Sequence, residues 1–243
     1  MNLHTIVIDG QKIPFRDGQT IMEAATAAGI YIPHLCHNPE FKPHGSCKLC
    51  TVKVNGRNGA ACTFPAAIGQ EVQNNTEELN AARRSITEML FVAGNHICPY
   101  CEKSGDCQLQ AMGYFLGMMG TQLSYFYSQH DLDAYHPDVL LDRDRCILCE
   151  LCVRASRDVD GKNVFTLSGR GFGTRLIVNS SSGLLKDSSI EATDKAVDVC
   201  PVGALLVKRK GFQRPIGERV YDQREIDEVS LEYDQAIMGG DHG

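Results

Sequence analysis

At 243 residues, with 43% hydrophobic and 22% charged residues, the chain has the composition of an ordinary soluble globular protein. Its net charge of -6 offers no basic footprint for nucleic acid, and no apolar run reaches the roughly 18 residues that span a bilayer, so neither is an expected partner. Eleven cysteines are an odd set for a disulfide framework, and the start Met1-Asn2-Leu3-His4-Thr5 has no signal-peptide character; the expectation is a cytoplasmic protein whose thiols bind metal.

Residues 3–8 alternate as a strand, Asp9-Gly10 is a hairpin turn, and Lys12 to Phe15 return. Thr20 caps a helix over Ile21 to Ala28, with Glu23 completing a capping box and Gly29 ending it. Hairpin then helix is the opening of a β-grasp. Next comes Cys36-x10-Cys47-x2-Cys50-x11-Cys62, preceded at its central pair by Gly45, which lets backbone N–H groups approach sulfur. Four thiolates suit a [2Fe-2S] cluster, and zinc is the competing reading. Zinc ribbons supply two close pairs, whereas here three ligands share one long loop. Ten residues between the first two cysteines, rather than the four of plant-type ferredoxins, point to another ferredoxin branch. His34, His37 and His44 would matter in a Rieske-type centre; with four cysteines available they read as exposed loop residues.

A polar stretch over 73–80 leads to an amphipathic helix over 85–93, ended by Gly94. The second motif, His96-x-Cys98-x2-Cys101-x5-Cys107, is one thiolate short of a cubane. His96 is the nearest fourth ligand, since imidazole nitrogen suits iron; a [3Fe-4S] cluster lacking a fourth ligand is the alternative. The methionines and aromatics from Met112 to Tyr127 read as core or subunit contact, not as a cofactor box. His130 to Pro137 reads as a linker, and Val139 to Leu141 as a strand.

The third motif is Cys146-x2-Cys149-x2-Cys152, a [4Fe-4S] signature completed most simply by Cys200-Pro201. Arg143 and Arg145 precede it; arginines beside a cluster can raise its potential by stabilising the reduced form, though surface arginines usually do nothing so specific. Two strands, 164–167 and 175–178, flank Gly169-x-Gly171-x-Gly173; a strand follows these glycines where a dinucleotide site needs a helix, so they form a turn. A helix over 191–199 brings in Cys200, and 205–208 is again a strand. Residues 211–243 are charged and thinly hydrophobic, either a tail or an arm that orders on a partner.

Three clusters need twelve ligands, and eleven cysteines plus His96 supply them. No thiol is left for catalysis and no P-loop or nucleotide fingerprint is present, so the chain reads as an electron relay. With these motifs it resembles the amino-terminal iron-sulfur region of the 75 kDa-type subunit of complex I, and similar regions of iron-only hydrogenases and NAD-dependent formate dehydrogenases. It looks most like the small diaphorase subunit of cytoplasmic NAD-reducing nickel-iron hydrogenases, over about residues 1–210. The one departure is that only Ile97 separates His96 from Cys98, where relatives place three residues.

The resemblance implies an α+β chain in four parts. These are a β-grasp [2Fe-2S] ferredoxin domain (1–80), a small helical [4Fe-4S] domain with one histidine and three cysteine ligands and a linker (81–137), a ferredoxin-like [4Fe-4S] domain (138–210) and a partner-binding arm or tail (211–243). It implies Cys36, Cys47, Cys50 and Cys62 on the [2Fe-2S] cluster, His96, Cys98, Cys101 and Cys107 on one [4Fe-4S] cluster, and Cys146, Cys149, Cys152 and Cys200 on the other. FMN and NAD would sit on a large diaphorase partner and the nickel-iron centre on the hydrogenase small and large subunits, with no substrate-converting site here. The alternative is the equivalent subunit of an NAD-linked formate dehydrogenase or of complex I; the short, stand-alone chain favours the hydrogenase.

Overall fold

Strands β1 (His4–Ile8) and β2 (Gln11–Phe15) pair antiparallel across Asp9 and Gly10 in the computed structural model, which describes residues 4–239. Both turn residues are left-handed (φ 47° and 83°), as a tight hairpin with the twist of its strands requires. Leu3, the expected first residue of β1, and residues 240–243 of the expected arm lie outside the described residues. Contact density divides the chain into two units, one of residues 1–87, 112–118 and 224–243, the other of 88–111 and 119–223.

In the first unit α1 (Ile21–Ala27) begins at the expected capping box: Thr20 Oγ1 accepts from Glu23 N at 3.2 Å and the Glu23 carboxylate accepts from Thr20 N at 2.6 Å. Strands β3 (Thr51–Val54), β4 (Arg57–Ala60) and β5 (Glu71–Gln73) complete a sheet of order β2-β1-β5-β3-β4, with β1 and β5 parallel. Alternate residues Ile6, Ile8, Ile13, Phe15, Val52 and Val54 are buried in one core with Ile21, Met22, Ala24 and Ala25 of α1. Each large side chain so buried is worth roughly 1.5–3 kcal/mol. The result is the β-grasp that the hairpin and capped helix announce.

Helix α2 spans Glu77–Ala93, starting a full two turns before the expected 85. Thr76 Oγ1 caps it by accepting from Leu79 N at 3.3 Å, and Glu77 and Glu78 favour its positive end. Its first turns bury only Leu79 and Arg83, so they carry no apolar stripe to read.

The stretch after residue 210 carries a helix, α6 (Ile226–Gly239), within the first unit. Polar contacts hold much of it: Asp234 Oδ2 lies 3.6 Å from His34 Nε2, Tyr233 Oη donates to Glu40 Oε2 at 2.9 Å, and Gln235 Nε2 donates to Thr26 O at 2.8 Å. His34 is therefore buried, not an exposed loop residue, and its Nδ1 lies 2.9 Å from Ile32 O. His44 is exposed as expected and His37 half-buried.

In the second unit β7 (Val139–Asp142) is the middle of a three-stranded sheet, flanked by β6 (Leu132–Asp133) and β10 (Leu205–Val207). The segment 130–137 is thus not wholly linker: β6 pairs with β7, and buried Asp133 accepts from Leu185 N at 2.7 Å. Strands β8 (Phe165–Ser168) and β9 (Arg175–Val178) form the expected hairpin. Gly169 needs to be glycine in its turn, because it is left-handed (φ 91°) and a Cβ would lie 2.2 Å from Gly173 O.

Helix α3 (Gln108–Phe115) begins the apolar stretch and buries Leu109 and Met112, whereas Met119, Phe126 and Tyr127 are exposed. Helix α4 (Leu151–Asp158), not expected from sequence, carries Cys152, and α5 is only Lys195–Asp198 where 191–199 was expected. The distant Asp160 carboxylate accepts from Lys195 N and Ala196 N at 2.9 and 3.0 Å, and so sets where α5 starts. No helix among the described residues is long and apolar enough to cross a membrane.

Candidate metal centres

None of the eleven cysteines is in a disulfide. They fall into the three constellations that the spacing separates, one in the first unit and two in the second. Among the described residues no three His, Cys, Asp or Glu side chains converge closely enough for a single metal ion.

In the first constellation Cys36, Cys50 and Cys62 are buried and Cys47 half-buried. Cys50 and Cys62 sulfurs lie 3.4 Å apart, and Cys47 N donates to Cys36 Sγ at 3.4 Å. Within each pair one thiol is favoured as thiolate and the other as its proton donor: Cys36 is held down to about 4, mainly by the Cys47 side chain, while Cys47 is pushed up. The loop reaches this geometry through left-handed Gly45 (φ 72°) and Lys48 (φ 61°). A left-handed lysine costs roughly 1–2 kcal/mol, which surrounding structure must hold in place.

That structure is centred on Arg83, which sequence reading passed over. Only 2% exposed, it donates to Leu49 O (3.0 Å), Thr51 O (3.0 Å), Asn74 O (2.8 Å), Asn74 Oδ1 (2.7 Å) and Asn80 Oδ1 (3.0 Å). The planar guanidinium ties the Cys47–Cys50 loop to α2 and to the end of β5. An arginine within a polar helix start looks like any solvated charge, so no sequence signal marks it.

In the second constellation a tight turn lies between His96 and Cys98. Ile97 N donates to Asn95 O at 3.1 Å, closing a three-residue turn centred on His96, and a 3-10 turn starts at Cys98. The His96 ring stands edge-on to Phe91 with centroids 5.7 Å apart, and its Nε2 is buried with no hydrogen-bond partner among the described residues. Burial first, then the Arg145 charge, pull His96 down to about 4, so near neutrality it is a neutral imidazole. A buried, uncharged and unpartnered ring nitrogen has the chemistry of an iron ligand. Burial pushes Cys107 up to about 12. Loading metal there displaces its proton.

Gly94 makes room for this arrangement: a Cβ would stand 2.6 Å from Asp144 O and 2.7 Å from His96 Nε2. Gly94→Ala is expected to displace the imidazole and to cost this centre its iron, leaving the other two. Iron and sulfide assay with EPR of the purified chain checks it; a full complement with unchanged spectra would refute it.

In the third constellation Cys146, Cys149, Cys152 and Cys200 line one pocket with Ile147 and Val202. Leu148 (φ 53°) and Glu150 (φ 59°) are left-handed, on either side of Cys149. Left-handed residues alternating with right-handed ones are the backbone pattern from which anion-binding concavities of N–H groups are built. Burial pushes Cys146 up to about 11 and Cys152 well above its ordinary value. Cys200 returns across 47 intervening residues because β10 pairs with β7, and Ala204 O accepts from Asp142 N at 2.8 Å.

The second and third constellations are joined at three points. Gln108 N, after Cys107, donates to Pro201 O at 2.9 Å, and Asn95, beside His96, bonds Asp144 through N to O (2.8 Å) and Nδ2 to Oδ2 (2.9 Å). Arg145 Nη1 donates to Cys101 Sγ at 3.7 Å.

A β-grasp with four cysteines, a helical segment with one histidine and three cysteines, and a sheet-backed pocket of four cysteines together define an iron-sulfur protein of the ferredoxin-containing class. Family models agree: a 2Fe-2S iron-sulfur cluster binding domain matches residues 3–77, an NADH-ubiquinone oxidoreductase-G iron-sulfur binding region 83–122, and a 4Fe-4S single cluster domain 139–207. The chain is 40% identical over 228 residues to the NAD-reducing hydrogenase HoxS subunit gamma of Cupriavidus necator, covering 93% of this chain and 97% of that one. The chain belongs to the family of that gamma subunit.

A chain in the crystal structure of an NAD+-reducing [NiFe]-hydrogenase in the H2-reduced state superposes with a TM-score of 0.92 at 51% identity, covering 95% of this chain and 98% of that chain. The mitochondrial NADH-ubiquinone oxidoreductase 78 kDa subunit of Candida albicans is 32% identical over 86% of this chain, which spans only 29% of that longer protein. The expected likeness to the hydrogenase subunit and to complex I holds.

Proposed function

We propose that the chain is the electron-relay subunit of an NAD-reducing hydrogenase, with Cys36, Cys47, Cys50 and Cys62 holding a [2Fe-2S] cluster and two [4Fe-4S] clusters held by His96, Cys98, Cys101 and Cys107 and by Cys146, Cys149, Cys152 and Cys200. The observation that carries the reading is the 40% identity along 97% of the gamma subunit's length. The unpartnered His96 Nε2 and the left-handed residues of the Cys47 and Cys146 loops support the ligand sets.

When bound, the clusters supply one-electron steps between a partner's nickel-iron centre and a partner's flavin. The chain's own residues set that path: Arg83 braces the first loop, the turn at His96 aims a neutral nitrogen, and the β7–β10 ladder brings Cys200 to its triplet. FMN and NAD belong on a large diaphorase partner and hydrogen chemistry on the hydrogenase small and large subunits, in the cytoplasm, with no substrate-converting site on this chain. The four-part division at 80, 137 and 210 follows the same reading, the last part being a partner-binding arm or tail.

Purification of the native assembly tests this. Nickel, FMN and hydrogen-dependent reduction of NAD+ co-purifying with the chain are expected; an assembly without nickel and without that activity sinks the proposal.

A further inference from the structure

Arg145 immediately precedes the third cysteine motif, yet its side chain reaches the second. Nη1 lies 3.7 Å from Cys101 Sγ and 2.9 Å from Glu102 Oε2, while Nε pairs with Asp142 Oδ2 at 2.8 Å. The guanidinium is only 20% exposed, so solvent screens it weakly. On the same side, a Cβ on Gly203 would lie 2.7 Å from Cys101 Sγ and 3.4 Å from Arg145 Nη1, which places the loop after Cys200 directly against the Cys101 sulfur. Cys101 thus sits where the second and third constellations meet, and Arg145 is the cation on it.

We infer that Arg145 is a positioning residue that acts through the Cys101 sulfur to raise the reduction potential of the second centre, and so governs electron exchange between the two four-iron centres. The inference rests on the ligand reading proposed above. Each one-electron reduction adds a negative charge that the thiolates share, and a fixed guanidinium donating to one of them stabilises that added charge. The electron comes from the neighbouring centre, which is oxidised by one, and no proton or bond change is required. Glu102 and Asp142 orient the guanidinium and offset part of its charge, so removing the Glu102 carboxylate acts in the opposite sense to removing the guanidinium.

The test is an EPR-monitored redox titration of the full chain carrying its clusters, for wild type, R145Q, R145K and E102Q, with iron and sulfide assayed in each. The second centre's signal is assigned by repeating the measurement in a Cys200→Ala background. R145Q is expected to lower that centre's midpoint by at least a tenfold change in the one-electron equilibrium, about 59 mV. R145K should fall less, and E102Q should rise. A full iron content in R145Q with an unmoved midpoint overturns the inference, as do shifts of the same sign in R145Q and E102Q, which a merely structural disturbance would give. Should R145Q lose iron, E102Q decides: a raised midpoint supports the inference and an unraised one overturns it. A wild-type chain without a second four-iron signal overturns the ligand reading instead, and this inference with it.

Discussion

Cys200→Ala is expected to stop hydrogen-dependent NAD+ reduction by the assembled hydrogenase while leaving the chain folded. On the proposed complement of one [2Fe-2S] and two [4Fe-4S] clusters, iron should fall from about ten to about six atoms per chain, the loss of one cubane. The thiol is 7% exposed and donates to Val202 O at 3.2 Å, but the ladder that anchors the loop does not involve it. The antiparallel pairs Leu205 with Leu141 and Val207 with Val139, and the bond from Asp142 N to Ala204 O, remain when the sulfur is gone. On the proposed arrangement of partners, reactions confined to one of them, such as hydrogen oxidation with an artificial acceptor or NADH oxidation by a flavin subunit, should persist, because the break would lie between them. The measurement is a comparison of these three activities with iron content on the purified assembly. Wild-type hydrogen-to-NAD+ turnover in the variant would exclude the third centre from the path.

Arg83→Met is expected to have the largest effect on stability, about 3–5 kcal/mol, and to release the first centre. Methionine fills part of the volume but donates nothing, so the carbonyls of Leu49, Thr51 and Asn74 and the side-chain oxygens of Asn74 and Asn80 lose the donor they share. A buried acceptor left unpaired costs roughly 1–3 kcal/mol, and several are left together. Leu49 lies inside the Cys47–Cys50 loop, so the same change loosens two cysteines of the first constellation. Urea unfolding gives the stability change, and the two-iron EPR signal reports the centre. A lysine in place of Arg83 should recover only part of the loss, since its single ammonium cannot reach acceptors spread around a planar fork. An unfolding midpoint within experimental error of wild type would show that the network is not what holds the loop.

The distances from one cysteine to the next were enough to separate three centres. Cluster ligation is a local matter of thiolates at set intervals, and Cys146-x2-Cys149-x2-Cys152 carries that information in seven residues. The β1–β2 hairpin and the Thr20 capping box were legible for the same reason: turn chemistry and capping act over three or four residues. The start of α2, the brevity of α5 and the helix α6 were not legible. Each depends on a polar group whose significance appears only on folding: Thr76 and the buried Arg83 for α2, Asp160 reaching Lys195 N for α5, and Asp234 meeting His34 for α6.

The amino-acid sequence by itself thus determined the kind of chemistry and offered three cysteine constellations with twelve candidate ligands, because short-range spacing specifies them. The tertiary structure alone decided how these ligands are held and joined. It folds a turn centred on His96 and leaves its ring nitrogen buried, neutral and unpartnered among the described residues, sets Arg83 behind the first loop, and lays Arg145 and Gly203 on the Cys101 sulfur. Hydrogen bonds between residues tens of positions apart have no periodicity and leave no motif; they exist only once the sheet and helix ends that carry them have been brought together.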